Sequence, residues 1–132
     1  MRHGSVIVDR RREEPVYAQI ARQVRERIAT GELAPGTPLP PVRTLASDLG
    51  VNLNTVARAY RQLEADGFVE ILDRSGARVA PPGAAAEARE ALRERLRDLL
   101  ARLRQAGIGP REIAELTERE LRGLGRGNGG KG

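Results

Sequence analysis

The sequence predicts a mainly α protein with a small β wing: an N-terminal winged helix-turn-helix followed by a two-helix C-terminal segment. Three observations carry that reading. Two amphipathic segments at helical spacing are separated only by Val51 and Asn52, the mark of a helix-turn-helix. Directly after the second of them the pattern becomes two short strand-like runs around a tight turn. Beyond Pro81-Pro82-Gly83 helical spacing returns, with leucines every three or four residues.

Taken in order, residues 1–12 hold the short apolar run Ser5-Val6-Ile7-Val8 and the basic triplet Arg10-Arg11-Arg12, and read as an extended arm with one strand and mobile ends. From Pro15, suited to a first helical position, Tyr17, Ile20, Val24 and Ile28 recur at helical spacing until Gly31. Leu33 to Pro41 contains four prolines and a glycine, so it is a turn-rich connection. A short second helix places Val42, Leu45, Ala46 and Leu49 on one face and ends at Gly50. The third is capped by Asn52, runs to Asp66 and is closed by Gly67. Phe68 to Leu72 and Ala77 to Ala80 form a hairpin around Asp73-Arg74-Ser75-Gly76. Winged-helix boundaries of 13–81 follow. A helical segment over 84–122 carries Leu92, Leu96, Leu99 and Leu103, then a turn at Gly107 to Pro110, then Ile113, Leu116 and Leu121. The glycine-rich residues 123–132 read as a disordered tail.

Composition excludes several function classes. The 132 residues lack cysteine and carry one histidine, His3. Disulfides, thiolate metal sites and thiol catalysis are therefore ruled out, and a histidine-based metal site is not expected. Carboxylates such as Glu87, Glu90, Glu112 and Glu115 lie among arginines on helices and read as solvated ion-pair partners. No glycine-rich phosphate loop sits between a strand and a helix. The expectation is a protein that is not an enzyme, with no cofactor and no metal. No apolar run reaches the roughly 18 residues of a membrane span, and no secretory leader is apparent, which favours the cytoplasm. The net charge of +5 divides as +2 over residues 1–83 and +3 over 84–132. It permits an anionic partner without demanding one.

The third helix carries the functional signal. On a helical wheel Val56, Ala59, Tyr60 and Leu63 gather on one side, and Asn54, Ala57, Arg58 and Arg61 on the other. Asparagine and arginine are the side chains best able to read adenine and guanine edges in a major groove. The helix start, with Asn52 and Thr55, offers free backbone N–H groups to a phosphate. A single helix of this kind is more often an ordinary surface helix with a solvated outer face. Context shifts the balance: Arg43 in the second helix and Arg74, Ser75 and Gly76 at the hairpin tip surround it with further phosphate-seeking groups.

Pro15-Val16-Tyr17-Ala18-Gln19-Ile20, the stretch from Gly31 to Pro41, Val42-Arg43-Thr44-Leu45-Ala46, Asn52 to Tyr60 and Leu63-Glu64-Ala65-Asp66-Gly67 occur in one order and spacing. Over residues 13–81 the chain resembles the GntR family of bacterial transcriptional regulators, and within it the YtrA-like branch. The resemblance implies DNA contacts by Arg43, by Asn52, Asn54 and Thr55, and by the wing tip. Pro41 stands where serine is usual. Leu53 and Ala57 occupy positions that are often arginine, which moves base readout to Asn54, Arg58 and Arg61. Arg78 replaces an aromatic, so a looser wing is expected. Other branches carry large effector-binding or aminotransferase-like domains, for which this sequence leaves no chain.

The seam Leu92, Leu96, Leu99 and Leu103, extended by Ile113 and Leu116, is expected to pair with a second copy, because two short helices make a poor core alone. The resemblance points the same way. Two readings follow: a homodimeric repressor binding an inverted-repeat operator in double-stranded DNA, or a winged-helix module whose third helix docks a protein. Exposed apolar or aromatic anchors would favour the second.

Overall fold

Backbone chemistry sets the first turns. Pro15 lacks an N–H and precedes α1 (Val16–Ala29) as its N-cap, and Pro41 stands in the same place before α2 (Val42–Leu49). Neither helix gains a side-chain cap. Asn52 does cap α3 (Leu53–Ala65): its side-chain oxygen accepts from the Asn54 N–H at 2.7 Å. Gly50 joins α2 to α3 at φ 66°, a left-handed conformation that side chains with a Cβ resist. Asp66 is the C-cap of α3 rather than its last helical residue.

The computed structural model describes residues 2–3, 6–73, 76–83 and 88–125. Its strands are β1 (Arg2–His3), β2 (Val6–Ile7), β3 (Pro38–Leu39), β4 (Val69–Leu72) and β5 (Gly76–Val79), and α4 (Ala88–Gln105) and α5 (Pro110–Gly125) follow. The expected hairpin is β4–β5, antiparallel, with Val69 opposite Val79 and Leu72 opposite Gly76.

Three expectations need correction. The wing has a third strand, because β3 pairs with β5 from inside the proline-rich connection. Proline is tolerated there because β3 is an edge strand. The arm is not a single loose strand: β1 and β2 pair antiparallel, and Val6 is buried in the core. Finally, α5 continues through Gly125, into the expected tail. Residues 126–132, and the 84–87 start of the expected seam helix, lie outside the described residues.

One core unites α1, α2, α3 and the wing. Ile20, Leu45, Val56, Tyr60, Leu63 and Val79 are each at most 2% exposed. The Tyr60 hydroxyl donates to the Pro40 carbonyl at 2.6 Å, tying α3 to the strand connection. Burial pushes that hydroxyl's pKa far above the usual tyrosine value. Arg78, expected to loosen the wing, instead pairs with Glu70 directly across the β4–β5 register at 2.8 Å. Cross-strand opposite charges support a sheet where an aromatic would otherwise pack.

Candidate nucleic-acid interface

The helix-turn-helix is held so that α3 keeps one side free. Val56, Ala59, Tyr60 and Leu63 are buried against α1, α2 and β4. Asn54 and Arg61 are exposed on the other side, and Thr55 and Ala57 are half-buried at its margins. Beside them a groove opens between the start of α2, α3 and the wing. Arg43, Ala57, Arg61, Ile71, Asp73 and Gly76 line it. Arg43 and Arg61 make no ion pair or hydrogen bond with the described residues. Glu64, also on the groove, accepts from the Ile71 N–H at 3.1 Å, which fixes β4 against α3.

The geometry therefore gathers Arg43, Arg61 and Gly76 on one groove beside α3, with Asn54 exposed at the start of the same helix. Gly76 has φ 94°, the left-handed turn that starts β5. Arg74 and Ser75 of the expected tip lie outside the described residues. Asn52 is exposed at the helix start, but its side-chain oxygen is committed to capping.

Arg58 departs from the wheel's expectation. Its guanidinium lies 3.8 Å from the centroid of the Tyr17 ring on α1. A planar, weakly hydrated cation stacks well on an aromatic face. That contact turns Arg58 toward α1 and away from Ala57 and Arg61.

One contributor escaped the sequence reading. The Arg10 guanidinium donates to the Gly50 carbonyl in the turn between α2 and α3, placing a cation two residues from Asn52. The arginine triplet was visible in the sequence, but a contact across 40 positions leaves no local signature. Among the described residues no cluster of three or more His, Cys, Asp or Glu forms a metal site.

The C-terminal residues divide. Leu92, Leu96 and Leu99 of α4 are 54%, 52% and 53% exposed, and Leu116 of α5 is 41% exposed. Leu103 is half-buried. Ile113, expected in the intermolecular seam, is instead buried within its own chain at 7% exposure. It sits on α5, which packs against both α1 and α4, and so is already covered.

A chain with this helix-turn-helix and wing matches a family model over residues 16–79, described as bacterial regulatory proteins of the gntR family. The HTH-type transcriptional regulator YhcF of Bacillus subtilis is 35% identical over 104 residues, spanning 77% of this chain and 86% of that one. The chain belongs to the GntR family. The solved YtrA of Sulfolobus acidocaldarius, a GntR-family transcription factor, is 37% identical and superposes with a TM-score of 0.60, covering 86% of this chain and 94% of that one. The transcriptional repressor YtrA of Bacillus subtilis is 42% identical over 69 residues, 52% of this chain and 53% of that protein. The chain thus spans little more than half the length of some curated relatives it matches, 57% and 53% for two of them.

Within the GntR family this chain is similar to YtrA-type regulators in both sequence and structure. Its winged helix is a DNA-binding domain of a family whose regulators bind double-stranded DNA operators. No helix among the described residues is long and apolar enough to cross a membrane.

Proposed function

We propose that the chain is a homodimeric repressor that binds an inverted-repeat operator in the cytoplasm through α3. The observation that carries this reading is the joint placement of Arg43 and Arg61, unpaired among the described residues, on one groove beside α3, the helix that also exposes Asn54. Arg43, in the first turn of α2, neutralises a backbone phosphate, and the wing tip at Arg74, Ser75 and Gly76 reaches another. Asn54 and Arg61 read base edges, while Asn52 and Thr55 seat a phosphate at the helix start. Arg58 acts as a brace on Tyr17 rather than as a reader. A repressor role is supported by the similarity to Bacillus subtilis YtrA, a transcriptional repressor.

The half-exposed leucines of α4 support pairing of two copies over the segment 84–122. A lone surface leucine is unremarkable, but three at heptad-like spacing are a seam that lacks its other side. The alternative, a winged helix that docks a protein through α3, is less favoured because the groove face carries amide and guanidinium groups.

The test is titration of the purified protein against the DNA upstream of its own gene over a salt series. Affinity should fall steeply as salt rises, because phosphate contacts release counterions. Binding that is absent, or equal on unrelated duplexes at every salt concentration, rejects a sequence-specific operator role.

A further inference from the structure

Leu53 is informative for where it stands rather than for being exposed. It is 41% exposed and occupies the first position of α3, between the capping Asn52 and exposed Asn54. Packing does not require a leucine there, since the buried face of α3 is Val56, Ala59, Tyr60 and Leu63. Ala57 stands four residues on and Arg61 four more, so the three share one row along the helix. Ala57 and Arg61 border the groove with Arg43. The row is thus apolar at the helix start and cationic further along, with an amide beside its first member.

Only one base presents an apolar group in the major groove: thymine, through its C5-methyl. Leucine is long enough to stand clear of the helix and cover a methyl. Ala57 is short enough to let the base pair approach the helix backbone. A cytosine at the same place would offer an amino donor and no methyl, and Leu53 has nothing to accept the donor. Resting on the operator-binding reading above, the geometry points to Leu53 as a specificity-determining residue that reads the C5-methyl of a thymine. Asn54 takes the hydrogen-bonding edge of a neighbouring base.

The experiment uses the full chain and a random-sequence duplex library to select a preferred site. That duplex is then remade with deoxyuridine at each thymine in turn, which removes one methyl and leaves the hydrogen-bonding edge unchanged. At one thymine the wild type should bind about fourfold more weakly after the exchange, the worth of one buried methyl. Leu53→Ala should bind the thymine and uracil duplexes equally at that position. Leu53→Met, which restores aliphatic reach, should regain the preference. Equal wild-type binding after every exchange overturns the inference, as does a full thymine preference retained by Leu53→Ala. Failure to select any duplex overturns the operator-binding reading instead.

Discussion

Tyr60 and the exposed side chains around it show how one helix serves two purposes. Its ring belongs to the core, and its hydroxyl donates to Pro40 in a site where burial disfavours the phenolate. Below the ordinary tyrosine pKa of 10 both folded and unfolded chains keep the proton, so stability does not respond to pH through this group. Above it the unfolded chain releases the proton and the folded chain does not, so stability falls as pH rises. Lys131 is the only lysine and the other basic residues are arginines, so few other groups titrate there. Thermal melts from pH 8 to pH 11 should therefore show a decline that Tyr60→Phe flattens, with that variant about 1 kcal/mol less stable at neutral pH for the lost hydrogen bond. An equal alkaline decline in both proteins would place the titration elsewhere. On the opposite face, Arg43→Ala should weaken binding to all duplexes alike and reduce the salt slope by about one. Asn54→Ala should relax preference at one base position, costing on the order of 1–3 kcal/mol there. A change of base preference in Arg43→Ala at constant overall affinity would contradict its phosphate role.

At the scale of elements, the arm is held by a match between two geometries. The Gln23 amide pairs with both backbone groups of Ile7, accepting from its N–H at 2.9 Å and donating to its carbonyl at 2.6 Å. Gln19 does the same for Asp9, at 2.9 and 2.8 Å, and also donates to the Glu14 carbonyl. Four residues along a helix advance about 6 Å, and two along an extended chain about 6.6 Å, so an i, i+4 glutamine pair can reach alternate residues of the arm, Ile7 in β2 and Asp9 just beyond it. Gln19 is only 1% exposed. Gln19→Ala should cost about 1–3 kcal/mol by leaving these groups unsatisfied. It should also speed hydrogen exchange at the Asp9 amide, and unchanged exchange there would mean that Val6, Gln23 and Arg10 hold the arm without Gln19. This clamp was not legible in the sequence, because glutamines on a helix carry no apolar rhythm. The helices α1 to α3 were legible, since each buries a repeated apolar stripe between clear stop residues. The two-residue strand β3 was not, because its partner rather than its own pattern defines it. Likewise the wheel grouped Arg58 with Asn54 and Arg61 and missed Tyr17, a contact between helices 41 positions apart in sequence.

At the scale of the whole molecule, the question is what covers α4. Leu92, Leu96 and Leu99 each keep more than half their surface in water, while Ile113 is satisfied by the packing of α5. Fully burying a leucine is worth about 1.5–3 kcal/mol before ordering costs, and with these three about half exposed roughly half of that remains to be gained at each by a partner. Two of the charged pairs of α4 are satisfied within the helix, Arg102 with Asp98 and Arg93 with Glu90. Replacing Leu96 and Leu99 with glutamine should therefore give monomers whose winged helix keeps its fold, because neither residue is in the core. Those monomers should bind a half-site weakly and lose the tight binding that two linked sites confer. Operator half-sites should lie about one helical turn apart, or a multiple of it, to match two α3 helices related by a two-fold axis. Salt separates the two associations: it should weaken DNA binding by screening phosphates and leave an apolar seam intact or stronger. Sedimentation of wild type and the double variant across that series decides the matter. A double variant that remains dimeric would move the interface off α4, to the arm and α1.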